Sequence, residues 1–168
     1  MTARMRIDRL LVERGLFESR AKAQAAIEAG LVVADEMPVT KASLELPVDA
    51  ALRAAPAHPF VSRGGVKLAA ALDHFGFDPA GATCLDVGAS TGGFTDALLA
   101  RGAARVYAVD VGRGQLHPSL AKDARVTSLE GVHWKTLSLD VAPGPYDFSF
   151  AYPPFASDMH IADMGATD

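Results

Sequence analysis

The sequence has few of the residues that build disulfide scaffolds and metal sites. Cys84 is its single cysteine, which excludes an internal disulfide. The five histidines lack the short spacing typical of zinc ligands, so we expect no metal. Cys84 lies inside a predicted strand, and we therefore expect it to be a small residue of the core.

Long apolar runs are also missing, and no run is long enough to span a membrane. The first residues lead into a charged amphipathic segment rather than the apolar region of a signal peptide. We therefore expect a cytoplasmic protein with no membrane partner. The 168 residues, 49% of them hydrophobic, suffice for one ordinary domain or two small ones.

Positive charge is not in excess overall, since the net charge is −4. This argues against a uniformly basic nucleic-acid binder. The charge is unevenly distributed, because residues 1–67 contain ten Lys and Arg against eight Asp and Glu, whereas residues 68–168 contain six against twelve. The two parts of the chain are therefore predicted to be domains of different kinds, the first weakly basic and the second acidic.

The first part has the pattern of a small domain with two helices and a few short strands. Helical spacing of apolar residues predicts one helix from Ile7 to a stop at Gly15, and Ser19 is placed to cap a second helix over residues 20–29. Short β segments are predicted at 31–34, around 39 and at 51–54, with Pro38 and Pro47 among the residues that separate them.

This domain presents a candidate basic surface for RNA. Its members are Arg6, Arg9, Arg20, Lys22 and Lys41. Acidic residues are interspersed among them, so a solvated helix face explains the same charges equally well.

Two prolines within residues 56–59 disfavour both helix and central strand and indicate a linker. We predict a first, small domain over 1–55, a linker over 56–62 and a second domain over 63–168. A helix should then run through Leu68 and Leu72 to Gly76, with Lys67 in its first turn. A cation is unfavourable there, which hints at function, although an exposed lysine is the commoner explanation.

The chain is organised around a strand, a glycine loop, a helix and a second strand. Thr83–Val87 is predicted to be a buried strand, followed by a loop from Gly88, a helix over about 93–101 and a strand over Arg105–Asp110. Further strands are predicted at 126–129 and 148–151. This order is typical of an open α/β sheet, in which ligands bind beyond the carboxyl ends of the strands.

The glycine loop fits neither common phosphate-binding pattern. Its spacing is G-x-x-x-G-G, with Ser90 where a dinucleotide fingerprint has its second glycine, and Phe94 follows where a phosphate loop has lysine. Asp86, immediately before the loop, would repel a pyrophosphate and suits a cationic ligand.

Asp110 ends the second strand, where an acidic residue can accept hydrogen bonds from two ribose hydroxyls. An adenosine with a cationic, phosphate-free tail describes S-adenosylmethionine, although other α/β proteins also have glycines after a strand. The predicted cofactor-binding residues are Asp86, Gly88, Ala89, Ser90, Thr91, Gly92, Gly93, Phe94, Asp110, Val111 and Glu130.

Four motifs together resemble the TlyA (hemolysin A) family, which is similar to FtsJ-type ribose methyltransferases. They are RLLVERGL at 9–16, VSRGGVKL at 61–68, DVGASTGGFT at 86–95, and AVDVG at 108–112 with GQL at 114–116. The resemblance implies an α/β fold with a Rossmann-like methyltransferase sheet, preceded by a small α+β RNA-binding domain of the alpha-L type. It also implies methyl transfer from S-adenosylmethionine to a ribose 2′-hydroxyl, with ribosomal RNA or a ribosomal subunit as partner.

The catalytic set of the family it resembles is Lys-Asp-Lys-Glu, and Lys67 matches its first lysine. Tyr152 stands at the position of the Asp, and the second Lys and the Glu belong to a segment beyond residue 168. We therefore expect a member whose C-terminal part is missing or altered. The alternative is a non-catalytic RNA-binding protein that keeps the cofactor pocket.

Overall fold

The computed structural model describes residues 3–151 of the chain. It consists of two compact units, Met1–Pro59 and Phe60–Asp168. The division falls inside the stretch for which we predict a linker, and the domain limits at 55 and 63 stay predictions. None of the helices in the described part is both long and apolar enough to cross a membrane.

The first unit packs two helices against short antiparallel strands. Ile7 and Leu11 of the first helix and Ala23 and Ala26 of the second are fully buried in its core. Strand β1 pairs with β4, and β2 lies between β3 and β5. In chain order the elements are β1 Arg4–Arg6, α1 Ile7–Glu13, α2 Arg20–Glu28, β2 Val32–Ala34, β3 Met37–Pro38, β4 Glu45–Pro47 and β5 Leu52–Ala54.

Both predicted helices of this unit are confirmed. Ser19 caps α2, since the backbone N–H of Lys22 donates to its hydroxyl oxygen at 3.3 Å. The placement of Pro38 and Pro47 between strands was wrong, because each is the last residue of a strand. A proline is tolerated at the end of an edge strand, where its missing N–H breaks no ladder. Strands β1 and β4 have three residues each, which is too short for an alternating pattern to predict them.

The second unit is built on a four-stranded parallel sheet of order β8-β7-β6-β9. Cys84 and Val106 on one face pack with the helices, and Leu85 and Tyr107 pack on the other face. The predicted strands at 83–87, 105–110, 126–129 and 148–151 are confirmed. The elements are α3 Arg63–Phe75, β6 Thr83–Val87, α4 Gly93–Ala100, β7 Arg105–Asp110, α5 Pro118–Ala121, β8 Val126–Glu130, a 3-10 turn Trp134–Thr136 and β9 Phe148–Ala151.

Helix α3 begins earlier than predicted, and the placement of Lys67 in its first turn was wrong. The helix starts at Arg63, and Ser62 caps it by accepting a hydrogen bond from the backbone N–H of Gly64. Lys67 therefore lies in the second turn, where the argument from the helix dipole carries little weight. The helix includes Gly64 and Gly65, and a Cβ at Gly65 would lie 2.9 Å from the carbonyl oxygen of Gly93. A glycine is required there because the first turns of α3 and α4 approach closely.

Candidate functional site

Asp86 lies near the carboxyl end of β6 and is 2% exposed. One of its carboxylate oxygens accepts hydrogen bonds from the backbone N–H of Thr95 at 3.0 Å and from the Thr95 hydroxyl at 2.7 Å. Burial, with a smaller contribution from the nearby Asp110, raises the pKa of Asp86 to about 6 against the lowering effect of the two Thr95 hydrogen bonds. These bonds join the strand to the first turn of α4 and so fix both ends of the glycine loop.

Asp110 ends β7 and connects two loops. One carboxylate oxygen accepts from the backbone N–H of Ser90 at 2.7 Å, and the other accepts from that of Gly112 at 2.7 Å. The glycine loop is also held by β7 directly, because the N–H groups of Gly88 and Ala89 donate to the carbonyl of Val109. Asp110 is therefore fixed in orientation, and each of its oxygens has a further lone pair for a ligand hydroxyl.

A cavity of about 430 Å³ opens on one side of the glycine loop. It places the carboxylate of Asp86 together with two cations, Arg63 and Lys67. Its lining residues are Ser62, Arg63, Gly64, Lys67, Asp86, Gly88, Ala89, Ser90, Thr91, Gly93 and Phe94.

A second cavity, of about 280 Å³, shares Gly88 and Ser90 with the first, so the two meet at the glycine loop. Its walls are mostly apolar, and Asp110 supplies a carboxylate. Its lining residues are Val87, Gly88, Ser90, Val109, Asp110, Val111, Gln115, Val132, His133 and Trp134.

Nine of the eleven predicted cofactor-binding residues line one or both of these cavities, whereas Gly92 and Glu130 line neither. Gly92 directly precedes α4 with φ +94°, and a Cβ there would clash with the side chain of Leu120. Glu130 accepts a hydrogen bond from the backbone N–H of Gly114 at 2.9 Å and so holds the loop after β7. Gly92 and Glu130 therefore support the backbone around the site without lining either cavity.

Sequence reasoning did not predict the wall formed by Val132, His133 and Trp134. The segment after β8 has no periodic pattern, so its apolar residues gave no signal of their own. Its position directly after the carboxyl end of a strand beside β7 was the available clue, because ligands of such sheets bind at that edge.

Two members of the predicted basic surface support the fold of the first unit. Arg6 and Arg20 form ion pairs with Asp8, which is fully buried, at 3.0 and 2.7 Å. Burial alone would raise the pKa of Asp8, but hydrogen bonds from Arg6, Arg20 and Gln24 hold it well below its usual range. Both arginine side chains stay about half exposed, so they remain accessible.

The other members of the basic surface are exposed or half-exposed on the same unit. Lys22 pairs with Glu18 at 2.7 Å. Arg9 and Lys41 are exposed, and their side chains have no hydrogen bond or ion pair within residues 3–151. Arg9 and Lys41 are therefore the members whose charge is open to a ligand.

Tyr152, which the resemblance places at the position of the catalytic Asp, lies outside the described residues. Within residues 3–151, no three His, Cys, Asp or Glu side chains are grouped so that they could hold a metal ion.

The FtsJ-like methyltransferase model matches residues 60–166, which is more than half of the chain. The chain belongs to the FtsJ-like methyltransferase family. The S4 domain, an RNA-binding module, matches residues 5–51. The expected combination of an α/β methyltransferase sheet with a preceding RNA-binding domain is therefore confirmed, and the family implies a methyl donor.

The relatives carry TlyA and hemolysin names, which confirms the resemblance stated from the motifs. The chain is 44% identical over 159 residues to the 16S/23S rRNA (cytidine-2′-O)-methyltransferase TlyA of Mycobacterium tuberculosis, covering 94% of this chain and 59% of that protein. It is 41% identical to Hemolysin A of Brachyspira hyodysenteriae, covering 82% and 57%. The solved structure named "Putative hemolysin from Streptococcus thermophilus" superimposes with a TM-score of 0.57 at 37% identity, covering 89% of this chain and 56% of that one. The chain thus spans somewhat more than half the length of these relatives.

Proposed function

We propose that this protein transfers a methyl group from S-adenosylmethionine to the 2′-hydroxyl of a cytidine ribose in ribosomal RNA, in the cytoplasm. The family match and the names of the relatives support the reaction class. The observation that carries the proposal is the pair of cavities that meet at the glycine loop, one with Asp86 and Lys67 and the other with Asp110. The S4 domain would supply most of the RNA affinity, as a phosphate-binding surface separate from the acidic catalytic part.

The residues of the two cavities fit S-adenosylmethionine. The apolar walls from Val111, Val132 and Trp134 suit an adenine ring, and Asp110 is oriented to accept from the ribose hydroxyls. Asp86 lines the adjoining cavity, where a carboxylate favours the cationic tail. The cofactor would supply an electrophilic methyl group on a sulfonium.

Lys67 has a chemical task in this arrangement. A ribose hydroxyl is a poor nucleophile, and an ammonium group within hydrogen-bond reach stabilises the oxyanion as the hydroxyl proton passes to water. The new bond from the ribose oxygen to the methyl carbon would replace the bond from sulfur to that carbon, so S-adenosylhomocysteine would be the other product. Lys67 is exposed and lines the same cavity as Asp86, so a hydroxyl bound there would lie between the lysine and the methyl donor. Holding the two reactants in line contributes much of the rate enhancement in such a reaction.

Cofactor binding can be measured through Trp134, the only tryptophan of the chain, which lines the second cavity. Titration with S-adenosylmethionine is expected to change its fluorescence. Asp110→Asn should weaken binding about tenfold, because the amide keeps one acceptor oxygen and loses the charge. Asp140→Asn is the matched control, since Asp140 is exposed and lines neither cavity. Equal affinity in both variants would show that Asp110 does not bind the cofactor.

Transfer is tested by incubating the protein with ribosomal RNA and methyl-labelled S-adenosylmethionine, then digesting the RNA to nucleosides. Label in 2′-O-methylcytidine is the expected product. Cofactor and RNA binding without any label in the RNA would instead establish a non-catalytic RNA-binding protein.

A further inference from the structure

Arg63 is a cation that the fold of the second unit does not use. It is exposed at the start of α3, and its side chain has no hydrogen bond or ion pair within the described residues. By contrast, Arg101 pairs with Asp73 at 2.7 Å and Arg125 pairs with Asp123 at 2.8 Å. The charge of Arg63 is therefore open to a ligand.

Arg63 and Lys67 lie four residues apart on one helix, so their Cβ atoms are about 5–6 Å apart on the same face. Both side chains line the cavity of about 430 Å³. Two like charges at this spacing are mutually unfavourable, and Asp86, the acid in this cavity, is already engaged by Thr95. An anionic group bound between the two cations would relieve this repulsion.

The residues that line the cavity differ in exposure. Asp86 and Ala89 are buried, and we call their side the inner part, whereas Arg63 and Lys67 are exposed to solvent, and we call their side the opening. A cationic cofactor tail belongs at the inner part beside Asp86. The opening is where a macromolecular substrate would enter.

We propose that Arg63 positions the RNA by binding the phosphate on the 3′ side of the ribose to be methylated. This inference rests on the proposed function. The 2′-hydroxyl and the 3′-phosphate are attached to adjacent carbons of one ribose, so two cations one helical turn apart match the two groups of a single nucleotide. A guanidinium suits the phosphate because it donates two parallel hydrogen bonds, and Lys67 is left for the hydroxyl.

The test measures how the affinity for RNA depends on salt. The full chain is titrated into a fluorescein-labelled, single-stranded RNA of mixed sequence at several KCl concentrations, and anisotropy gives the association constant. Each phosphate contact contributes about 0.7 to the slope of log K against log [KCl] for single strands. Arg63→Gln should reduce the slope by about that amount, and Arg63→Lys should keep the slope while lowering the affinity. Lys122→Gln, an exposed cation of the same unit outside both cavities, should change neither.

An unchanged slope in Arg63→Gln would overturn the proposal. So would loss of S-adenosylmethionine affinity without a change in slope, because the bound anion would then be the cofactor carboxylate. If the wild-type chain does not bind S-adenosylmethionine but the slope falls in Arg63→Gln, the proposed methyl transfer fails while the phosphate contact of Arg63 stands.

Discussion

Thr95 donates two hydrogen bonds to the same oxygen of Asp86, from its backbone N–H at 3.0 Å and from its hydroxyl at 2.7 Å. Both residues are buried, since Thr95 has no exposed surface and Asp86 is 2% exposed. Two donors compensate part of the cost of burying the carboxylate, yet its pKa stays raised, at about 6. The fold therefore holds a charge that is unfavourable for stability at neutral pH, which is a common property of binding sites.

Asp86→Asn should separate cofactor binding from folding. The amide oxygen can still accept from Thr95, so the fold should survive, whereas the attraction for a cationic tail is lost. We expect S-adenosylmethionine affinity to fall at least tenfold at pH 7.5 with little loss of thermal stability. Trp134 fluorescence and a thermal melt measure the two effects. A variant that binds the cofactor as tightly as the wild type would remove Asp86 from the site.

The raised pKa of Asp86 makes the stability of the second unit depend on pH. Between about pH 4 and pH 6 the native carboxyl is protonated while the unfolded one is ionised, so the free energy of unfolding should fall as pH rises through this window, by about 3 kcal/mol in all. Asp86→Asn should lose this dependence. Chemical denaturation of both proteins near pH 4 and near pH 7 gives the comparison, and parallel pH profiles would contradict it.

Asp8 in the first unit acts in the opposite direction. Its lowered pKa contributes stability that is present above the ordinary carboxyl pKa and lost as pH falls below about 4. The two windows differ, so acid destabilisation of the first unit can be told apart from the titration of Asp86.

The cations of the basic surface should differ in the effect of their removal, because some contribute only to RNA binding and others also stabilise the first unit. Arg9→Ala and Lys41→Ala should each weaken RNA binding and reduce the salt slope by about 0.7 without changing the thermal midpoint, because neither side chain has a partner in the described residues. Arg20→Ala should also destabilise the unit by about 2 kcal/mol, since it removes two hydrogen bonds from the buried Asp8. Unchanged RNA affinity in both Arg9→Ala and Lys41→Ala would show that these charges are only solvated and do not bind RNA.

The close approach of α3 and α4 should make Gly65 intolerant of a side chain. A Cβ there would lie 2.5 Å from the side chain of Phe60 and 2.9 Å from the carbonyl oxygen of Gly93. We expect Gly65→Ala to lower the free energy of unfolding by about 2 kcal/mol. Gly64→Ala is the control on the same helix, because its nearest contact would be 3.3 Å away. Equal stability of the two variants in urea denaturation would show that the helices can separate at no cost.

Much of the site could be predicted because its signals are local in the chain. The bounds of β6 and β7, the break at Gly88 and the carboxylates at the strand ends all follow from short-range periodicity and turn-forming residues. Parallel strands bring their carboxyl ends to one edge, and the predicted ligand position beyond that edge follows from this rule.

Other features were decided by contacts between residues far apart in sequence. Arg20 pairs with Asp8 across a turn, which assigns a structural role to a charge that composition alone leaves open. Helix α3 includes Gly65, which packs closely against Gly93, and this contact is not visible in a local window. Tertiary packing also brought Trp134 to the wall of the second cavity.

The sequence by itself determined the glycine loop, the strand that precedes it and the acid that ends the next strand, because backbone conformation and apolar alternation depend on near neighbours. Tertiary structure alone decided that Arg63 and Lys67 line one cavity with Asp86, because the packing of α3 beside β6 and α4 joins residues that are about twenty positions apart in the chain.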